Sequence, residues 1–290
     1  MKDVVRPWLL TDLLIFNLLI FSLMNVRAIS LLLLMTISIL SCRKRITGHL
    51  SGNDPAQKYL VSKVYDYRHR LLAQYEYNDS NQLLRRSFTD PETQNSSEYV
   101  FEYHNGRISK IIYSDFTFPQ FNHNIVLKYN EAGRIVRDET YQYGALQSFT
   151  NYRYDPDGKI KSLVDENGLE YFTIDYKQTA NALQVRLMVK DGDGWIGNGY
   201  REVTKSFTYD DHPKPDFGLG QVFKIEPLPG FGTEATFEKN ISRNNMTGIA
   251  DGTTWIYTYN DHGLPATIET KWKDVITEPM MLRIEYMKAQ

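Results

Sequence analysis

Five segments of this chain repeat one pattern: an apolar residue, a polar residue, a tyrosine, a turn-forming run, then an aliphatic residue. Tyr75-Glu76-Tyr77 leads through Asn-Asp-Ser-Asn-Gln into Leu83-Leu84, and Phe101-Glu102-Tyr103 through His-Asn-Gly-Arg into Ile108. Leu127-Lys128-Tyr129 leads through Asn-Glu-Ala-Gly-Arg into Ile135, Tyr152-Arg153-Tyr154 through Asp-Pro-Asp-Gly-Lys into Ile160, and Tyr257-Thr258-Tyr259 through Asn-Asp-His-Gly into Leu264. In the first four copies the second ring falls at 77, 103, 129 and 154. Apolar, polar, apolar is the period-two alternation of a strand with one wet face. The Asn/Asp and Gly residues tolerate the positive φ that short hairpin loops require. A period near 25 residues is two strands and two turns, so the array folds as an antiparallel meander. The first copy lacks the turn glycine and has Asn81 instead.

The fold expected is all-β: repeated hairpins, roughly 12–16 strands, forming a curved sheet, a roll or a closed barrel. Closure would remove exposed edges. No unit is visible from about 178 to 250, where Ala180–Lys190 reads as a strand. Pro213, Pro215, Pro227 and Pro229, with Gly218, Gly220, Gly230 and Gly232, read 210–235 as a long surface loop. The last strand is expected at Leu282–Met287. A membrane-spanning barrel needs strands of about 9–11 residues, longer than most segments between turns here.

Ahead of the repeats the chain is built differently. Trp8 to Cys42 is mostly apolar, broken by Asp12 and Arg27. Arg27 followed by the apolar run Ala28–Leu40 has the order of a secretory signal. The ending Ile39-Leu40-Ser41-Cys42 resembles the lipobox of bacterial lipoproteins. Met24 opens a complete signal of its own, so residues 1–23 are either a mis-assigned start or an extension. The competing reading is a transmembrane anchor followed by Arg43-Lys44-Arg45. The division expected is a signal peptide over 1–41, a lipidated tether over 42–58 and the β domain over 59–290. Cys42 is the one cysteine of the 290 residues, and lipid attachment there accounts for it. The lipobox resemblance implies a diacylglycerol with a further amide-linked chain, enough for stable anchoring where a single chain holds only marginally. Arg43-Lys44-Arg45 would lie near anionic head groups.

The Y-x-Y-[ND]-x-x-G-[RK]-[IL] unit resembles the YD repeat of Rhs-type proteins. From about 59 to 290 the chain is similar to uncharacterised tyrosine-rich lipoproteins of Gram-negative gut and environmental bacteria. Tyr209-Asp210-Asp211-His212-Pro213, Asn244-Asn245-Met246-Thr247 and the segment 257–269 add to the likeness. The resemblance implies an envelope protein lipid-anchored to the outer membrane, on its periplasmic face or at the cell surface. It brings no catalytic residues.

Signals for chemistry are sparse. Asp191-Gly192-Asp193-Gly194, with Glu202 eleven residues after Asp191, invites a calcium loop, but Trp195 and Ile196 stand where a ligand and a glycine belong; a hairpin loop is the simpler reading. None of the six histidines forms a metal-type pair. No nucleophile elbow or P-loop occurs. The expectation is therefore no catalytic residues, no metal and no cofactor. Without residues 1–41, which hold three basic and two acidic residues, 30 basic and 33 acidic remain, a balance that gives no reason for nucleic-acid binding. The inward tyrosines read as core. Trp195, in a turn, is the candidate ligand contact. The function expected is a non-enzymatic envelope module that binds a glycan or a protein. The alternatives are an assembly protein pairing through its sheet edge, or a polysaccharide hydrolase with two carboxylates.

Overall fold

The computed structural model describes residues 58–290 of the protein apart from 178, 191–199, 227, 229–235, 251 and 274–279. The turns fold by the chemistry their residues carry. The Asn or Asp after the second ring aims its side-chain oxygen back at the chain. Asn78 Oδ1 accepts the N–H groups of Ser80 and Gln82, and Asn260 Oδ1 those of His262 and Leu264. This is an Asx turn. The glycine three residues on has positive φ, 77° at Gly133 and 83° at Gly158. Asn81, in the copy without glycine, holds φ 60°, a region Asn visits more easily than other side chains. Gly133 and Gly158 meet a second demand. A Cβ there would collide with the guanidinium of Arg107 or Arg134 from the preceding hairpin.

The strands are β1 (Tyr59–Asp66), β2 (Leu71–Tyr77), β3 (Leu83–Thr89), β4 (Ser96–His104), β5 (Arg107–Asp115), β6 (His123–Tyr129), β7 (Ile135–Gln142), β8 (Ala145–Tyr154), β9 (Ile160–Val164), β10 (Glu170–Asp175), β11 (Gln184–Lys190), β12 (Tyr200–Pro213), β13 (Asn244–Ile249), β14 (Thr254–Tyr259), β15 (Pro265–Lys271) and β16 (Met280–Lys288). Each pairs antiparallel with the next, and β1 pairs with β16 from Tyr59↔Lys288 to Asp66↔Leu282. Among the alternatives left by the sequence, the meander is thus a closed barrel. The repeat turns, residue 58 and Gln290 share one rim, where Ala289 N–H donates to Lys58 O and Gln290 N–H to Asn81 Oδ1. We call this rim A and the opposite one rim B.

The inward faces explain the tyrosines. Tyr77, Tyr103, Tyr129 and Tyr154 each donate their hydroxyl to a backbone carbonyl of the strand before: Val61, Leu83, Ile108 and Ile135, at 2.6–2.9 Å. The same bond recurs where the repeat is not readable. Tyr176 donates to Ile160 O, Tyr209 to Ala182 O, Tyr257 to Met246 O and Tyr286 to Pro265 O. A fivefold sequence repeat is an eightfold structural one. In the fifth readable copy the first ring, Tyr257, makes the bond, and Tyr259 turns to Asp210. Arg107, Arg134 and Lys159, the basic residues after the turn, lie over the next tyrosine in line: Tyr129, Tyr154 and Tyr176. Cation–π attraction then links consecutive hairpins.

The lumen is filled by the chain itself, which corrects the expectation of a surface loop over 210–235. Residues 210–213 end β12, and the segment after them turns into the barrel. Phe217, Leu219, Val222, Ile225 and Leu228 are buried in one cluster with shell residues such as Tyr75, Phe101, Ile111 and Leu163. Each such side chain contributes about 1.5–3 kcal/mol of burial before entropy is set against it. Polar contacts fix the depth. Val61 N–H donates to Asp216 O, Arg86 Nη1 to Glu226 O, and Lys224 Nζ to Asp138 Oδ1 at 3.0 Å and to Thr150 Oγ1. Tyr152 donates to the other oxygen of Asp138. The segment ends in a short helix, α1 (Thr236–Ile241), whose Phe237 packs on Phe172 and Phe223. Lys214 caps the last carbonyls, those of Lys239 and Asn240; burial pushes its ammonium down to about 8.

The outward faces are wet. Between inward rings stand Glu76, Glu102, Lys128 and Arg153, and neighbouring strands pair them: Arg85 with Glu76 at 3.8 Å, Lys110 with Glu102 at 3.6 Å, Lys128 with Glu139 at 3.8 Å and Arg153 with Glu170 at 3.4 Å. Each Arg or Lys at a bilayer midplane costs about 2–4 kcal/mol. A wall carrying such pairs belongs in water and does not face lipid.

Candidate functional site

Cys42 and Trp195, the two residues singled out from the sequence, lie outside the described residues, as does the Asp191–Gly194 run. Lys190 and Tyr200, which flank that run, end β11 and begin β12 on rim B. Trp255 is core: it is buried, with Lys239 Nζ 3.9 Å from its ring centre. Among the described residues no group of three or more His, Cys, Asp or Glu is arranged to hold a metal.

Rim B carries the feature that the sequence reading missed. Twelve large apolar residues are exposed among those described, and five of them gather here: Phe116, Phe118 and Phe121 on the β5–β6 connection, Tyr143 on the β7–β8 connection and Leu146 at the start of β8. Apolar residues gathered this way on a soluble surface mark a contact site. The connections are held in place. Asp115 Oδ1 accepts the N–H groups of Thr117 (3.0 Å) and Phe118 (2.7 Å), and Asp115 N–H donates to Asn122 Oδ1 (2.7 Å). A 3₁₀ turn, Pro119–Phe121, follows from proline's fixed φ. Gln142 Nε2 (2.5 Å) and the Tyr143 hydroxyl (3.2 Å) both donate to Gln120 O, tying one connection to the other.

Between them opens a cleft of about 310 Å³ lined by Tyr113, Phe121, His123, Thr140, Gln142 and Gln147. Its floor runs into the core through a train of inward rings. Phe101, Tyr99, Tyr113 and His123 succeed one another at centroid distances of 6.5, 4.8 and 4.9 Å. His123 Nδ1 lies 2.8 Å from Phe121 O. Tyr113 donates to Asp115 Oδ2 at 3.2 Å, and burial, with Asp115 adding to it, raises its phenol above the ordinary tyrosine range. Flat apolar faces beside amide and hydroxyl groups, in the mouth of a barrel, are the make-up of a small-ligand site. The one sequence signal was Phe116-Thr117-Phe118-Pro119-Gln120-Phe121: three phenylalanines in a connection that needed none. A second cleft, about 700 Å³, is lined by Asp155, Lys159 and Lys177 together with residues of β9, β10 and β11 and carries charges of both signs.

No family model matches the chain, and no curated protein matches it. Among solved structures it is similar to a porin-like protein from Bacteroides uniformis, at 14% identity and a TM-score of 0.46, covering 81% of this chain and 98% of that one. A porin-like protein from Bacteroides vulgatus matches at 12% identity and a TM-score of 0.36, covering 78% and 98%. The Photorhabdus luminescens Tc holotoxin pore matches at 12% identity and a TM-score of 0.26, covering 73% of this chain and 10% of that one.

Proposed function

We propose that this protein is an exported lipoprotein of the cell envelope whose barrel mouth binds a glycan without chemical turnover. Lipid on Cys42, ahead of the β domain, supplies the membrane anchor in this reading. The observation that carries the reading is the cleft on rim B, where fixed aromatic faces stand beside Gln142, Gln147 and Thr140. Sugar rings present apolar C–H faces and hydroxyl edges, which suit such a lining. Among the described residues the lining holds no Asp or Glu, so nothing there supports the carboxylate pair that glycoside hydrolysis needs. Assembly through a sheet edge loses support, since the first and last strands pair with each other. The eightfold tyrosine bond supports reading the shell as a YD-type repeat. Trp195 is kept as a second proposed contact, because both residues flanking its segment lie on the same rim.

Thermal unfolding of the full-length chain against a panel of oligosaccharides tests this, since a ligand of the native state raises the midpoint by mass action. The expected result is a saturable rise that disappears in Phe121→Ala. A panel without any rise, or a rise indifferent to Phe121→Ala, contradicts it.

A further inference from the structure

We infer that the cleft selects an uncharged, hydroxyl-rich saccharide and rejects anionic ones; this rests on the glycan reading above. The selection comes from which hydrogen-bonding groups are already committed. A backbone carbonyl can only accept, so His123 Nδ1, 2.8 Å from Phe121 O, carries the proton. In that tautomer Nε2 is the acceptor. Gln120 O likewise fixes the Gln142 amide with its nitrogen inward to that carbonyl, so Oε1 is the group left over. Tyr113 gives its proton to Asp115 Oδ2, and of the two lone pairs on its oxygen one is engaged by Ser97 and one is left to accept. Three groups of the lining therefore offer acceptors, while Thr140 and Gln147 can serve either way. Among the described residues no Lys or Arg lines the cleft, and the carboxylate of Asp115 is occupied by the Tyr113 hydroxyl and the N–H groups of Thr117 and Phe118.

A carboxylate or sulfate brings only acceptors and a negative charge to such a set, and its desolvation goes uncompensated. A neutral sugar brings donors on every hydroxyl. Its C–H face can lie on Tyr113 or Phe121. Size agrees, because the cleft is at the small end of ligand sites and accommodates one or two rings of a longer chain.

Calorimetric titration of the full-length chain with neutral hexose and pentose oligomers and with oligogalacturonate tests the inference. The neutral oligomers are expected to bind saturably, with oligogalacturonate at least about tenfold weaker. His123→Phe and Tyr113→Phe each keep a ring and remove an acceptor. Each is expected to weaken neutral binding by about tenfold, the worth of one hydrogen bond. Two independent variants guard against a folding defect in either. Oligogalacturonate binding as tightly as the neutral oligomers, or unchanged affinity in both variants, overturns the inference and leaves the cleft a glycan site. Failure of both classes to bind overturns the glycan reading and the inference with it.

Discussion

The tyrosine hydroxyls hold neighbouring strands together at points where a carbonyl would otherwise face an apolar lumen. In Tyr129→Phe the ring stays and Ile108 O loses its donor. The expected loss is about 1–3 kcal/mol, the desolvation cost of a buried carbonyl left without a partner, measured by urea unfolding. Tyr143→Phe, on an exposed loop, is the control with little change. Burial raises these phenols above the unfolded value of about 10, to about 12 at Tyr75, Tyr99 and Tyr129. The folded state thus holds protons that the unfolded state releases. Stability from these groups is complete below about pH 10 and is lost as pH rises towards about 12. Tyrosinate absorbance should therefore appear together with loss of the β circular-dichroism signal. Tyrosinate forming in advance of unfolding would show that the rings are not buried. The turns were legible at this scale, because Asn, Asp and Gly each have one physical reason to stand where they do. The cleft was not, because Tyr113, His123 and Gln142 come from three strands, and only their register brings them together.

At the scale of elements, the segment from Lys214 to α1 is the piece that the sequence misdescribed. Its prolines and glycines do exclude a strand, and it is not one. The apolar residues Phe217, Leu219, Val222, Ile225 and Leu228 carried the missing information, since a solvated loop has no use for five of them. Three of the eight repeat units were hidden for a different reason. Ile174-Asp175-Tyr176, Phe207-Thr208-Tyr209 and Ile284-Glu285-Tyr286 keep the tyrosine that makes the bond but are not followed by the Asn/Asp and Gly turn that marks the readable copies. The segment is locked at Lys224. Lys224→Met leaves Asp138, nearly inaccessible to solvent, without its cation. The expected destabilisation is about 2–3 kcal/mol, below the usual cost of breaking a buried pair because the lysine is a third exposed. Lys224→Met with Asp138→Leu should recover part of that loss in chemical denaturation. A single variant as stable as the wild type would mean that the segment does not engage the shell there.

For the whole molecule, closure, filling and a charged exterior act together. Closure leaves neither the first nor the last strand as a free edge, filling supplies the core that a shell of sixteen strands needs, and the ion-paired wall keeps the barrel in water. Such a shell has no aqueous channel where its own chain lies. Amide hydrogen exchange of the full-length chain, followed by mass spectrometry, reads the central claim directly, because buried and bonded amides open only with the structure around them. Peptides covering 216–226 should exchange as slowly as the strands β2, β5 and β7. A bound neutral oligosaccharide should add protection at 113–123 and 140–147 and leave rim A unchanged. Fast exchange over 216–226, at the rate of an open loop, would contradict the account of a barrel filled by its own chain.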